Sequence, residues 1–233
     1  MNEKRKLRSP VMVVNPKSYI YGEESIELAK ISDRLAEKYD IDTVFTCQAA
    51  DVYRVRQATK NIFVAAQFMD PIVPGRGMGA VLPESLKASG ADIVVLNHAE
   101  KPLTLFALDA TMRRADELGL LTFVCADTPA QCRAVAQLGP DLVICEPTSL
   151  IGTGSTSSDD YVRDTIAAVK SVDPNIMVSQ GAGVSTNEDV YRVIMMGSNA
   201  TGATSGILNA PSREGKIEEM IQAIAKAKED LQK

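Results

Sequence analysis

Cys145-Glu146-Pro147-Thr148-Ser149-Leu150-Ile151-Gly152-Thr153-Gly154 puts one acidic residue at the end of a short apolar run that begins after Asp141. A proline and a glycine-containing loop follow at once. A carboxylate at the C-terminal end of a buried strand, beside a loop able to close, is how a barrel enzyme mounts a general base. Glycines at 152 and 154 leave backbone N–H groups free to turn toward a phosphate. The same letters also fit a plain strand end, with Glu-Pro as the stop and Gly-Thr-Gly as a surface turn. The surroundings of the stretch decide between the two.

Working outward, short β-branched runs alternate with longer helical patterns. Strands are predicted at Val11–Val14, Thr43–Cys47, 62–66, Ile93–Leu96, 121–125, Leu142–Cys145, 177–179 and Ala200–Ala203. These runs are apolar on both faces, as parallel strands covered by helices must be. The last has the weakest signal, since Ala, Thr and Gly dominate it. Amphipathic spacing predicts helices over Glu23–Tyr39, 103–118, 129–137, 159–171, 189–196 and 213–231. Gly119 and Gly197 stand where C-caps belong. Eight strands, each followed by a helix or helical turn, predict a (β/α)₈ barrel, with residues 1–233 as one domain. A doubly wound open sheet competes, but no G-x-G-x-x-G follows the first strand.

Composition narrows the function. The net charge of −5 argues against nucleic acid or an anionic membrane surface as the main partner. No apolar stretch approaches the roughly 20 residues needed to cross a bilayer. The N-terminal residues 1–8 are basic, but a short strand follows them rather than the apolar core of a signal peptide. The four cysteines, Cys47, Cys125, Cys132 and Cys145, are widely spread, and three lie in apolar runs where a free thiol behaves as a small hydrophobe. With His98 the only histidine and no C-x-x-C spacing, no metal site is expected. A reducing, cytoplasmic location is the expectation.

In a barrel, chemistry belongs at the C-terminal strand ends. The first strand ends in Asn15-Pro16-Lys17, the fourth in Asn97-His98-Ala99-Glu100 and the sixth in Glu146. The seventh ends in Gly181-Ala182-Gly183 and the eighth in Thr204-Ser205-Gly206. Each has an ordinary reading: Lys17 a solvated loop lysine, His98 a structural histidine, Glu100 a surface partner of Lys101 or Arg113, and the small-residue segments mere turns. Five such features at one mouth favour chemistry. The set suits proton shuttling beside a carbonyl, with Glu146 taking a proton from carbon and His98 polarising the carbonyl. Lys17 would hold the developing negative charge, and the glycine-rich turns would bind a phosphate dianion. That chemistry calls for no organic cofactor.

At these residues the chain resembles the triosephosphate isomerases, above all their shorter archaeal form. The resemblance covers nearly the whole chain. Asn15-x-Lys17 matches the family's N-x-K, and Asn97-His98-x-Glu100 most of its N-H-S-E. Glu146-Pro147 with 150–154 matches the glutamate and lid, and Gln67 and Asp70 resemble the segment after the third strand. Gly181-Ala182-Gly183-Val184 and Ser205-Gly206 match the archaeal phosphate-binding turns. The resemblance implies Glu146 as base, His98 as electrophile and Lys17 as electrostatic clamp, with Asn15 and Glu100 positioning their neighbours. Gly152, Gly183, Thr204 and Ser205 would surround the phosphate of a small phosphorylated sugar. It further implies interconversion of glyceraldehyde 3-phosphate and dihydroxyacetone phosphate, in glycolysis and gluconeogenesis, by a homodimer or homotetramer whose loop around Met78 enters a neighbouring subunit. The chain departs from the family at Pro16, Met78, Ala99, the hinge Pro147-Thr148-Ser149 and the strand 200–204. Those departures leave two alternatives open: an isomerase of another small sugar phosphate, and a barrel that binds phosphorylated metabolites without turnover.

Overall fold

The computed structural model describes residues 4–233, so residues 1–3 of the basic N-terminal segment lie outside the described residues. Every apolar run is a strand. They are β1 Val11–Val14, β2 Thr43–Cys47, β3 Phe63–Ala66, β4 Ile93–Leu96, β5 Leu121–Ala126, β6 Leu142–Cys145, β7 Met177–Gln180 and β8 Ala200–Ala203. They pair in parallel in sequence order and close when β8 meets β1, from Val11 opposite Ala200 to Val14 opposite Ala203. The architecture is a (β/α)₈ barrel; the open doubly wound sheet is excluded.

Alternation along the strands explains why they read as apolar on both faces. Val11, Val44, Phe63, Ile93, Leu121, Phe123 and Leu142 fill the barrel interior. Their neighbours Met12, Phe45, Val64, Val94, Val124 and Val143 face outward into a second layer under the helices. The weak run is a true strand for a packing reason. A Cβ at Gly202 would stand 1.8 Å from the Val13 carbonyl oxygen, so only glycine lets β8 approach β1 this closely.

The helices are α1 Glu23–Tyr39, α2 Val52–Ala58, α3 Pro83–Ala88, α4 Leu105–Leu118 and α5 Pro129–Ala136. After them come α6 Asp159–Lys170, α7 Asn187–Met195, α8 Ser205–Leu208 and α9 Arg213–Asp230. Two starts differ from the sequence reading. α4 begins at Leu105 because Thr104 caps it, its hydroxyl accepting the Ala107 N–H at 3.2 Å, while the Leu103 N–H is drawn to Asn97 Oδ1 at 2.9 Å. α7 begins two residues earlier than expected, because Thr186 and Asp189 form a reciprocal capping box. Gly119 ends α4 in the left-handed conformation, as its position suggested. No described helix is long and apolar enough to cross a membrane.

Candidate functional site

Glu146 follows β6, and its backbone N–H still donates to the Ala126 carbonyl at 3.0 Å, so the sheet fixes where its side chain starts. The carboxylate turns into the mouth of the barrel. There Oε1 accepts the Ala182 N–H at 3.1 Å, and Oε2 stands 3.4 Å from His98 Nε2. Ala182 points its N–H inward from a left-handed conformation, φ 62°, rare for a residue with a side chain. Gly181 beside it leaves room for the carboxylate, since a Cβ there would meet Glu146 Cδ at 3.3 Å.

His98 is held from behind. Its Nδ1 accepts the Glu100 N–H at 3.1 Å. An imidazole nitrogen that accepts carries no proton, so in the neutral ring the proton sits on Nε2 and faces the mouth. The loop bearing it is anchored by Asn97, whose side chain donates to the Cys125 carbonyl and accepts the Leu103 N–H, each at 2.9 Å. His98 and Glu146 side chains are each only 16% exposed, so their contact is shielded from bulk water.

Lys17 arrives from the loop after β1. Its Nζ donates to Glu100 Oε1 at 2.8 Å, which holds the Glu100 carboxyl below the usual carboxylate range, against the opposing effect of partial burial. Glu100 therefore pairs with the site lysine rather than with Lys101 or Arg113. Lys17 itself has φ 49°. Such a backbone costs about 1–3 kcal/mol and needs support from its surroundings. Asn15 Oδ1 supplies part of that support, accepting the Lys17 N–H at 3.0 Å and the Thr46 hydroxyl at 2.6 Å.

These groups line one cleft of about 330 Å³ over the C-terminal end of the barrel. All nine candidate residues border it: Asn15, Lys17, His98, Glu100, Glu146, Gly152, Gly183, Thr204 and Ser205. On the wall of the same cleft, the N–H groups of Gly183 and Ser205 have no protein acceptor among the described residues. Gly183 has φ 70°, and a Cβ there would sit 1.8 Å from the Ser155 carbonyl oxygen, so the far end of the 146–156 loop rests on the β7 turn. Cys125 lies in the floor, where burial pushes its thiol far up and keeps it protonated. Chemically, the arrangement offers a carboxylate, an imidazole N–H donor, a cation and free backbone donors around one small ligand.

Sequence reasoning missed two parts of this constellation. The Ala182 N–H that orients the base is a backbone group, and its only trace in the sequence is the Gly-Ala-Gly turn. Thr46 lies 31 positions from Asn15, and nothing local joins them.

The triosephosphate isomerase family model matches residues 10–224. The chain is 35% identical to the triosephosphate isomerase of Methanobacterium bryantii over 229 residues, 96% of this chain and all of that protein. It is 35% identical to that of Methanocaldococcus jannaschii over 219 residues, 92% of this chain and all of that protein. To that of Saccharolobus solfataricus it is 29% identical over 225 residues, 95% of this chain and 99% of that protein. The chain belongs to the triosephosphate isomerase family, whose defining reaction is the interconversion of glyceraldehyde 3-phosphate and dihydroxyacetone phosphate.

Proposed function

We propose that this barrel carries out that interconversion with Glu146 as the base. The observation behind the proposal is the meeting of the Glu146 carboxylate with His98 Nε2 in a shielded cleft that backbone N–H groups without protein acceptors also line. Glu146 takes a proton from the carbon next to the carbonyl. The C–H electron pair becomes the C=C bond of an enediolate, and the carbonyl π pair moves onto oxygen. His98 donates its Nε2–H to that oxygen, and the Lys17 ammonium stabilises the charge. Proton exchange between the two oxygens and return of the proton from Glu146 to the neighbouring carbon complete the isomerisation. No electron leaves the substrate, and the step requires no cofactor.

Asn15 and Glu100 position the loop and the ammonium of Lys17. The N–H groups at Gly152, Gly183, Thr204 and Ser205 bind the phosphate, with no arginine needed. Placement of the reaction in glycolysis and gluconeogenesis follows from the family. A reducing, cytoplasmic setting suits four free buried cysteines. The chain works as one domain in a homodimer or homotetramer, supported by Met78, which stands fully exposed on a glycine-rich loop.

A coupled assay of the purified protein with glyceraldehyde 3-phosphate tests the proposal. Turnover that Glu146→Gln abolishes supports it. Turnover of a four-carbon sugar phosphate alone redirects it to the other substrate. Absence of any turnover favours the binding-only barrel, a reading weakened by the convergence of Lys17, His98 and Glu146 on one cleft.

A further inference from the structure

Lys17 is held in its left-handed conformation from a second side, by a chain of amides that reaches back to β2. Gln67, just past β3, donates Nε2–H to the Lys17 carbonyl at 2.8 Å. Its Oε1 accepts from Gln48 Nε2 at 2.8 Å, and Gln48 donates its other proton to Ser18 Oγ at 2.7 Å. A primary amide can present either its oxygen or its nitrogen to a neighbour. With Nε2 toward Lys17, Gln67 needs a donor at its oxygen, and Gln48 is that donor. The two protons of Gln48 thus bracket Lys17, one through Gln67 on its carbonyl side and one directly on the next residue. The lining of the cleft contains neither Gln48 nor Gln67.

We propose that Gln48 is a positioning residue for Lys17, fixing the orientation of the Gln67 amide and, through it and Ser18, the backbone that aims the Lys17 ammonium into the cleft. The proposal rests on the reading of Lys17 as the clamp on the reacting oxygens. Gln48→Glu keeps the shape but replaces the donor by a carboxylate, which faces the Gln67 oxygen with an acceptor. The Gln67 amide then turns over, sets its oxygen against the Lys17 carbonyl, and the support at φ 49° is lost. Gln48→Met removes the donor without adding charge, so a loss common to both variants reports the missing donor rather than repulsion of an anionic ligand.

The test is a double-mutant cycle read by calorimetry with a phosphorylated hydroxamate, a mimic of the enediolate. In the parent, both Gln48 variants are expected to weaken binding by about tenfold, the scale of one lost positioning contact. In a Lys17→Ala background the same substitutions are expected to weaken it by less than about twofold, because their route to the ligand is gone. Equal losses in both backgrounds, or no loss in the parent, overturn the proposal. A crystal structure of Gln48→Met gives a readout independent of turnover. Lys17 leaving the left-handed region supports the relay, and Lys17 unchanged at positive φ overturns it. A parent that binds the mimic no better than inorganic phosphate refutes the isomerase reading, while the crystal structure still decides the relay.

Discussion

Glu146 Oε2 and His98 Nε2 stand 3.4 Å apart across the barrel mouth, and each side chain is fixed from behind by a single backbone N–H, that of Ala182 for the carboxylate and that of Glu100 for the imidazole. Neither donor depends on side-chain identity, so the geometry of the pair belongs to the strand ends of β4, β6 and β7. On the proposed reading, the base and the electrophile are organised before a ligand arrives, which limits the reorganisation that the reaction must drive.

That geometry makes the reach of the Glu146 carboxylate measurable. Glu146→Asp keeps the charge and withdraws the carboxylate by one methylene, away from both Ala182 and the cleft. Misplacement by about 1 Å costs on the order of 10²-fold in rate. We expect kcat to fall on that scale while the thermal midpoint changes little. An Asp variant as fast as the parent would remove Glu146 from its role.

Gly183 joins the 146–156 loop to the turn after β7. Gly183→Ala forces a Cβ into the Ser155 carbonyl and strains a φ of 70°. Strain of this kind costs about 1–3 kcal/mol, and the clash adds to it. The expected result is a lowered thermal midpoint together with a raised KM. Gly152→Ala, where a Cβ meets nothing within 4 Å, carries the strain of φ 77° without the clash and is expected to be milder in both. Steady-state kinetics and calorimetric unfolding on the two variants check the order.

The barrel was legible in the sequence because its strands are buried on both sides, and burial leaves a continuous apolar run in every one. The elements that escaped notice are short: α2 buries only Val52 and Val55, and α3 only Pro83 and Leu86, too little to set up a helical period. The early start of α7 was available in Thr186-x-x-Asp189, a capping signal that the apolar spacing alone does not use. The cleft's named side chains were legible because a barrel fixes which end of each strand carries chemistry. Their supports were not. Gln67 is 50 positions from the Lys17 carbonyl that it binds, and the Ala182 N–H carries no residue identity at all.

The Lys17–Glu100 pair sets a pH dependence. Its hydrogen bond holds the Glu100 carboxyl below the usual range, so the folded pKa lies under the unfolded one. The pair's contribution is therefore complete above the ordinary glutamate value of about 4.3, and it is lost as pH falls through that value and below. The Glu100 side chain is 61% exposed, which keeps this contribution within about 1 kcal/mol. Thermal midpoints of the parent and Glu100→Gln, followed from pH 7 to pH 3, are expected to converge at the acid end. A constant gap across the range would assign Glu100 no such coupling.

The proposed assembly is testable at Met78. Its side chain is fully exposed in a loop where Gly79 has φ 86°, and Phe106 at the start of α4 is 85% exposed. Large apolar side chains exposed to water suit contact with a second subunit. Sedimentation of the parent at micromolar concentration is expected to give a dimer or tetramer, and Met78→Asp a shift toward monomer. A monomeric parent would separate the chain from the assembly that its resemblance implies.

On the proposed reading, the 146–156 loop connects phosphate binding to catalysis. It begins at Glu146 and passes through a single 3₁₀ turn, Thr148–Leu150. It then crosses Gly152 and Gly154, both with positive φ, and comes to rest against Gly183. Gly152 borders the cleft yet is solvent-exposed, so a phosphate drawing its N–H inward would move the loop over the mouth. Such closure would expel water and strengthen every proposed interaction of Glu146, His98 and Lys17 with the reacting atoms. Inorganic phosphate gains only the contacts of the phosphate turns. A phosphorylated hydroxamate gains those and also engages the carboxylate, imidazole and ammonium in their transition-state arrangement. Such mimics bind about 10²-fold tighter than substrate or more. Titration calorimetry is therefore expected to give a far lower Kd for the hydroxamate than for phosphate. In Glu146→Gln and His98→Gln the gap narrows while phosphate affinity holds. Equal affinities in the parent would mean that the pocket recognises the phosphate without assembling the three proposed catalytic groups around the carbons.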